Sequence, residues 1–442
     1  MKKIILLFTS VIVYSQSFDA TMTIYKNGLA LIQQPVAWSI NDGSSRIEFG
    51  TLPEGIREST PYLSLLNGKV LNQKLNKNLF SEKKLFKESL GSSVTITTID
   101  DEDQFGKLIS ISSDGYSIQT RRDVVHIKKD QVKQISSRKI IDNPMLRPAL
   151  QWDVSSNQNN ISGDLVYMTS GFAWNAVYRM VLIDNSKASL IPEAYVSNNS
   201  SVAFNNLKIK LVEGTLGNTS KNTMRLNRRS SISRNNEMDT QLGENATLGD
   251  FHIYNYPKRI EFGSNEHITI RLYDSRQINY TKIYVFHNSE KSQKDEPLEI
   301  EFQLKNTIKN NLGIPLPQGR ISLYEYSDKD LGFIGENNIK QTPKGETLII
   351  RAGRSFDIIG KRRVVNFDRQ RKSEEASIEI LINNTKDEDI DIRLEEKILG
   401  DWVIKEASND YIKKDATTIH FLLSVPKGKK ITTTYTYRKE WN

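Results

Sequence analysis

The chain has 442 residues, no cysteine and a formal net charge of +8 at pH 7. Without cysteine it has no disulfide, no thiolate metal site and no cysteine nucleophile, so each domain must be stabilised by its own apolar core. The charge excess is small for this length and makes nucleic acid a poor partner, because nucleic-acid-binding domains concentrate many more Lys and Arg residues on one surface.

The N-terminus has the order of residues that is typical of an export signal. Lys2 and Lys3 precede a mostly apolar run over residues 4–13, and small residues follow at Ser15 and Ser17. The apolar run is too short to span a bilayer, and no later stretch is apolar enough for a transmembrane segment. We therefore predict a signal peptide over residues 1–17 and an exported protein, located in the periplasm or on the surface of a bacterium.

Residues 18–145 are predicted to form an N-terminal β domain. Its first stretch, TMTIYKNGLALIQ, has apolar runs on both sides of Asn27-Gly28, a dipeptide that favours a hairpin turn. One short helix is expected near residues 82–90, with Ser81 as its N-cap and Gly91 in the left-handed conformation after its end. Five short strand candidates follow at about 93–136, which is the pattern of a small SH3-like barrel.

Longer alternating segments predict antiparallel sheets with one buried face. We assign residues 146–295 to a central β domain, residues 296–365 to a further β region, and residues 366–442 to a C-terminal immunoglobulin-like sandwich. Residues 215–248 are rich in Asn, Ser and Arg and lack periodicity, so a flexible loop is expected there. The expected fold is mainly β, with several antiparallel β domains, including β-sandwiches, in series.

The stretch FAWNAVYRMVL (residues 172–182) places large aromatic side chains at alternate positions. Such a row is either an exposed sugar-binding platform or part of the core. Phe172, Trp174 and Tyr178 share a face that continues into Met180 and Leu182 without a polar break. We therefore predict that this face is core and that Trp174 is buried, and we expect a sheet-forming hairpin around residues 169–171.

The sequence contains no recognisable catalytic motif. The nucleophile elbow, the paired-histidine zinc motif and the phosphate-binding loop are absent. The five histidines lie more than four residues apart: His126, His252, His267, His287 and His420. We predict no catalytic residue, no metal site and no cofactor. A hydrolase that joins two carboxylates at a domain interface would leave no local signature, and it stays open as the alternative function.

The segment RAGRSFDIIGKRR contains the candidate binding residues, which are cationic and surround a short apolar run: Arg351, Arg354, Arg362 and Arg363. These cations either bind an acidic ligand or pair with Glu and Asp on a neighbouring strand. An exposed ion pair of this kind contributes under about 1 kcal/mol. Pairing is the interpretation that we favour, and ligand binding is kept as the hypothesis for a site.

Several segments occur together in an order that resembles a known family: LVYMTSGFAWNAVYRMVL, FHIYNYPKRIEFGSNEHITIRLYDS, NNLGIPLPQGRISLYEY, TPKGETLIIRAGRSFDIIGKRR and GDWVIKEASNDYIKKDATTIHFLLSVPKGKKITTTYTYR. Over residues of about 146–442 the chain resembles the bacterial domain of unknown function 4139 family, some members of which are labelled mucoidy-inhibitor-like. The resemblance implies an exported, β-rich envelope protein and supplies no catalytic residues. We therefore expect a non-enzymatic protein that binds or assembles with an envelope protein or an anionic glycan.

Overall fold

The computed structural model describes residues 19–40, 43–79, 81–138, 145–214, 246–248, 251–327 and 330–441. Strands account for 68% of the structure and helices for 3%, which confirms the predicted mainly β fold with several sheets in series. Within the described ranges, no helix is long and apolar enough to cross a membrane. The predicted signal peptide, and the predicted flexible loop except for residues 246–248, lie outside these ranges.

The N-terminal segment begins with the predicted hairpin. It contributes five strands: β1 (Thr21–Tyr25), β2 (Leu29–Ser39), β3 (Gly43–Phe49), β4 (Tyr62–Leu65) and β5 (Lys69–Asn76). Ile24 of β1 lies opposite Ala30 of β2 in an antiparallel pair. Gly28 in the turn has a φ of 80°, a backbone conformation that glycine adopts without steric cost, so the hairpin at Asn27-Gly28 is confirmed.

A short helix and a small five-stranded sheet follow. α1 (Glu82–Glu88) begins where the Ser81 Oγ accepts a hydrogen bond of 3.2 Å from the Lys84 backbone N–H, as predicted for an N-cap. The five predicted strands are confirmed: β6 (Ser93–Thr98), β7 (Asp103–Ile111), β8 (Gly115–Gln119), β9 (Val124–Lys128) and β10 (Val132–Ser137), with a 3-10 turn at Lys129–Gln131. Their order is β10-β6-β7-β8-β9, and they enclose a small apolar core of their own.

The middle of the chain supplies nine strands: β11 (Ala149–Ser156), β12 (Asn160–Ser170), β13 (Phe172–Leu182), β14 (Lys187–Asn198), β15 (Phe204–Glu213), β16 (Ala246–Leu248), β17 (Phe251–Phe262), β18 (Glu266–Arg271) and β19 (Arg276–Asn279). The remaining strands are β20 (Thr281–Ser289), β21 (Lys294–Lys305), β22 (Gly319–Ser327), β23 (Asp330–Ile339), β24 (Thr347–Arg369), β25 (Ser373–Asn384), β26 (Ile390–Lys397), β27 (Asp401–Ala407), β28 (Ile412–Lys413), β29 (Thr418–Val425) and β30 (Lys430–Glu440), with a 3-10 turn at Ile308–Asn310.

These strands and those of the N-terminal segment form four further sheets. The orders are β16-β17-β15-β1-β2-β12-β4, β3-β11-β5, β18-β14-β13-β22-β23 with β19 beside β14, and β27-β30-β25-β24-β21-β20-β26-β29-β28. Most neighbours are antiparallel, but β1 with β15, β13 with β22 and β20 with β26 are parallel pairs. The predicted boundaries at 295/296 and 365/366 fall inside β21 and β24. Residues 366–442 therefore share one nine-stranded sheet with β20, β21 and β24.

The predicted hairpin around residues 169–171 is wrong. β12 pairs with β2 and β4, whereas β13 pairs with β14 and β22 in a different sheet. Gly171, with a φ of 99°, lies where the chain passes from one sheet to the other. The inner faces of both sheets contribute to one apolar core, in which Trp174 is 1% exposed. The prediction that Trp174 is buried is therefore confirmed, although the local connection differs.

Candidate functional site

A cleft of about 740 Å³ is lined in part by Asn175 and Val177, which alternate along β13 with the buried aromatic residues. Because side chains alternate along a strand, burial of Trp174 and Tyr178 turns Asn175 and Val177 toward the other side. The lining residues come from five strands and the segments between them: Lys26, Asn175, Ala176, Val177, Tyr195, Glu213, Gly214, Gln318, Gly319, Arg320, Asn338 and Gln341. β13, one face of which was predicted to be core, therefore also contributes residues to the cleft.

An ion pair forms one side of the cleft. Lys26 Nζ lies 3.3 Å from Glu213 Oε2 and 3.7 Å from the centre of the Trp174 ring, and it donates a hydrogen bond of 3.3 Å to the Gln318 carbonyl. Burial lowers the pKa of Lys26, and the Glu213 charge opposes this shift. Glu213 is 6% exposed, and among the described residues its Oε2 accepts no hydrogen bond. The cleft thus presents an ammonium donor beside an acceptor oxygen that has unused capacity.

Three buried tyrosines hold the segment that forms the adjacent wall. The Tyr178 hydroxyl donates to the Pro317 carbonyl at 2.7 Å, and the Tyr254 and Tyr273 hydroxyls approach the Pro315 carbonyl at 3.3 and 3.5 Å. Burial raises the pKa of Tyr178 well above its ordinary value, so this hydroxyl remains a neutral donor. These contacts fix the position of Gln318 and Gly319, which line the cleft.

The Tyr195 side chain supplies an exposed aromatic face within the cleft. It is 41% exposed and stacks on His267, with ring centres 5.4 Å apart and an interplanar angle of 15°. Tyr195 lies directly opposite Asn175 in the register of β13 and β14. The other amide side chains in the lining are Gln318, Asn338 and Gln341. Amides donate and accept hydrogen bonds, and an aromatic ring covers an apolar face, so the cleft can hold a ring-shaped polar ligand.

A second cleft, of about 570 Å³, shares Asn338 and Gln341 with the first. It lies between the end of β23 and the beginning of β24, and Arg351 is one of its lining residues. Arg351 is thus the one candidate cation from the sequence that lines either of these two clefts.

The exposed candidate cations pair with carboxylates of β21. Arg351 Nε lies 2.9 Å from Glu299 Oε1, and an Arg354 guanidinium nitrogen lies 2.6 Å from Glu296 Oε2. The hydrogen bond from Arg354 holds the pKa of Glu296 below its ordinary value. Both arginine side chains stay more than half exposed, so their pairing with β21 leaves part of each guanidinium open to solvent.

The two remaining candidates have opposite environments. Arg362 is fully buried and donates from Nε to Glu396 Oε2 at 2.9 Å and from a guanidinium nitrogen to the Tyr435 hydroxyl at 3.2 Å. Arg363 is exposed and lies opposite Glu379 in the register of β24 and β25. The four predicted cations therefore do not converge on one site, because β24 places them on different faces and at different points along its length.

Two of the five histidines meet at one carboxylate. His287 Nδ1 lies 3.2 Å from Glu395 Oε1, and His420 Nε2 lies 3.5 Å from Glu395 Oε2. His287 Nε2 also lies 3.7 Å from Glu299 Oε2. These residues belong to neighbouring strands of the nine-stranded sheet and line neither of the two clefts. Within the described ranges, no group of His, Asp or Glu side chains has an arrangement that could hold a metal ion.

The residues of the first cleft were missed by sequence analysis because they are far apart in the chain. Lys26 and Gln318, which share a hydrogen bond, are separated by 292 positions. Two local features of the sequence bear on the cleft. Asn27-Gly28 predicts the turn next to Lys26, and the alternation of buried and exposed residues in β13 places Asn175 on the face opposite to Trp174. No model of a known protein family matches the chain, and no curated protein matches it.

Proposed function

We propose that this protein is an exported, non-enzymatic protein of the bacterial envelope that binds a glycan in the cleft over β13. The observation that carries the proposal is the exposed ring of Tyr195 beside Asn175, with three further amide side chains lining the same cleft. A sugar ring has an apolar face that stacks on an aromatic side chain and hydroxyl groups that bond to amides. The cleft is also of the size that encloses a small ligand.

The cations at the cleft favour an acidic glycan. Arg320 lines the floor with its side chain 61% exposed, and the carboxylate of Glu336 is 4.0 Å from its Nε. Arg351 lies in the adjoining cleft, and its side chain is also more than half exposed. An anionic group near Arg320 would gain a charge-assisted hydrogen bond, which is stronger than a neutral one.

Export and family membership are parts of the same proposal. They rest on the predicted signal peptide over residues 1–17 and on the resemblance of residues of about 146–442 to the domain of unknown function 4139 family. The absence of cysteine is compatible with a protein that is stabilised by large β cores outside the cytoplasm. The mucoidy-inhibitor label of some members of that family is in line with an envelope polysaccharide as ligand.

Hydrolysis of an envelope polymer has less support. A glycoside hydrolase needs two carboxyl groups about 5–10 Å apart across the bond that it cleaves. The described residues that line the first cleft include one carboxylate, Glu213, and it is paired with Lys26. The group formed by His287, Glu395 and His420 belongs to another sheet. Binding is therefore the function that the cleft supports best.

A glycan array followed by calorimetric titration tests the proposal. We expect folded protein to bind glycans with acidic residues, and we expect Tyr195→Ala to weaken binding by about tenfold or more, since a stacked ring is lost. Tyr326→Ala is the matched control, because Tyr326 is an exposed tyrosine on β22 that does not line the cleft. An array without any bound glycan, or a Tyr195→Ala variant with unchanged affinity, would contradict the proposal.

A further inference from the structure

Lys26 and Glu213 offer a donor and an acceptor side by side. Their nearest polar atoms, Nζ and Oε2, are 3.3 Å apart, and both residues line the first cleft. The ammonium carries three N–H donors, and one of them is used by the Gln318 carbonyl. Among the described residues, Glu213 Oε2 receives no hydrogen bond although the side chain is more than nine-tenths buried.

The ion pair with Lys26 partly compensates the burial of Glu213 Oε2, and a ligand that also donates a hydrogen bond to this oxygen removes the remaining cost. The binding energy gained at Glu213 is therefore largest for a ligand group that donates a hydrogen bond. The same group must leave the Lys26 ammonium with an acceptor, because a charged amine is also costly to leave unpaired in a partly buried position. The pair consequently selects a ligand with one donor and one acceptor next to each other.

We propose that the Lys26–Glu213 pair is the receptor for two vicinal hydroxyl groups of the bound sugar. This inference rests on the proposed glycan-binding function and specifies which part of the sugar the pair recognises. One hydroxyl accepts a hydrogen bond from Lys26 Nζ, and its neighbour donates one to Glu213 Oε2. Vicinal hydroxyl oxygens are separated by about one hydrogen-bond length, about 2.8 Å. Lys26 Nζ and Glu213 Oε2 are 3.3 Å apart, so each of two neighbouring hydroxyls can reach one of them.

Electrostatic repulsion disfavours a carboxylate or an ammonium group at the Lys26–Glu213 pair. A carboxylate that approached Lys26 would lie against Glu213, and an ammonium that approached Glu213 would lie against Lys26. A neutral diol meets neither repulsion. An acidic group on the same sugar is accommodated at Arg320, which also lines the cleft and whose Nε lies 4.0 Å from Glu336 Oε2.

The test uses polygalacturonate, whose rings carry both a carboxylate and a vicinal diol, and the same polymer methylated at both hydroxyls of the diol. Methylation keeps the ring and the charge but removes the hydroxyl donors. We expect the methylated polymer to bind the wild-type protein about tenfold or more weakly. Because bulk alone can weaken binding, the comparison is repeated with Glu213→Leu, which removes the acceptor oxygen, so that the penalty for methylation should largely disappear.

Lys26→Met provides a second variant, and Lys210→Met is its matched control. Lys210 is a half-buried lysine on β15 that does not line the cleft, and burial lowers its pKa as it does for Lys26. Thermal melting checks that each variant is folded. We expect Lys26→Met to weaken binding of the unmodified polymer and Lys210→Met to leave it unchanged.

The outcomes separate the two proposals. If both polymers bind the wild-type protein equally and Tyr195→Ala abolishes both, the diol receptor is refuted and the glycan-binding function stands. A methylation penalty of the same size in wild type and Glu213→Leu also refutes the receptor, since bulk then explains the loss. If neither polymer binds folded protein, or if binding does not depend on Tyr195, both proposals fail.

Discussion

Arg362 and Glu396 form an ion pair with no exposed side-chain area inside the nine-stranded sheet. The Arg362 Nε donates to Glu396 Oε2 at 2.9 Å, and the Tyr435 hydroxyl donates to the same oxygen at 2.6 Å. The guanidinium also donates to the backbone carbonyls of Glu290 and Ser292. Burial raises the pKa of Glu396, and the charge of Arg362 lowers it. An arginine that sequence analysis placed among binding candidates is therefore a structural residue.

Replacement of Arg362 by methionine should destabilise the protein strongly. The variant leaves the Glu396 carboxylate buried without its counter-charge, a change that typically costs about 3–5 kcal/mol. The measurement is the free energy of unfolding from urea titration at neutral pH. Arg363→Met is the control, since Arg363 is the exposed neighbour on the same strand, and it should change stability by less than about 0.5 kcal/mol. Equal effects of the two substitutions would show that the buried pair is not important for stability.

The loss of stability caused by Arg362→Met should be smaller at acidic pH than at neutral pH. The pKa of Glu396 is higher in the folded state than in the unfolded state. Its protonation therefore stabilises the folded state at a pH below the unfolded pKa, and this contribution is lost as the pH rises through the folded-state pKa. Arg362 lowers the folded-state pKa of Glu396, so this pKa should be higher in the Arg362→Met variant than in wild type. As the pH is lowered from about 8 to about 5, protonation of Glu396 is therefore more favourable in the variant than in wild type, and it relieves the buried charge.

The free energy of unfolding of wild type and variant, measured over this pH range, checks the prediction. The double variant Arg362→Met with Glu396→Gln is the control, because it has no carboxylate to titrate at this position. The difference in the free energy of unfolding between this double variant and wild type should change less with pH, because only the wild-type protein has a Glu396 that titrates. A deficit of Arg362→Met that stays constant with pH would contradict the raised pKa of Glu396.

Local patterns predicted the strands well because alternation is a property of a few consecutive residues. β13 has the burial pattern that its sequence indicates, with Trp174 inside and Asn175 outside. The turn at Asn27-Gly28 was predicted for the same reason. Gly171 shows the limit of such patterns: a turn signal between two strands does not reveal whether they continue in one sheet or pass into another.

The candidate site could not be predicted because it depends on how sheets are placed relative to each other. Tyr195 and Asn175 are neighbours across β13 and β14, but Lys26 and Glu213 come from a different sheet. The cations of residues 351–363 were predicted as a candidate site because they are close together in the sequence. A long strand, however, separates adjacent residues onto opposite faces, so Arg362 is buried and Arg363 is exposed.

Truncation of Trp174 should reduce stability without involving a ligand. The side chain is 1% exposed, its Nε1 donates to the Val212 carbonyl at 3.3 Å, and its ring lies 5.9 Å from that of Tyr254. Trp174→Ala should therefore cost about 3–5 kcal/mol, and differential scanning calorimetry should show a clear fall in Tm. Tyr62→Ala, at a side chain that is 64% exposed, is the control and should leave the Tm nearly unchanged. A Trp174→Ala variant that melts like wild type would reverse the assignment of this residue to the core.

The C-terminal segment should not fold when it is expressed alone as residues 366–442. Its apolar core includes Tyr284, Phe286, Leu298 and Ile358, all of which precede the segment, and β25 would lose its pairing with β24. A segment without these strands exposes apolar faces that no remaining element covers. Residues 81–138 are the matched fragment, because α1 and the five-stranded sheet enclose a separate core. We expect dispersed amide resonances and a cooperative thermal transition for this fragment and neither for the C-terminal one. A cooperative transition for residues 366–442 would mean that this segment is an independent domain and that its shared sheet with β20, β21 and β24 is not required for folding.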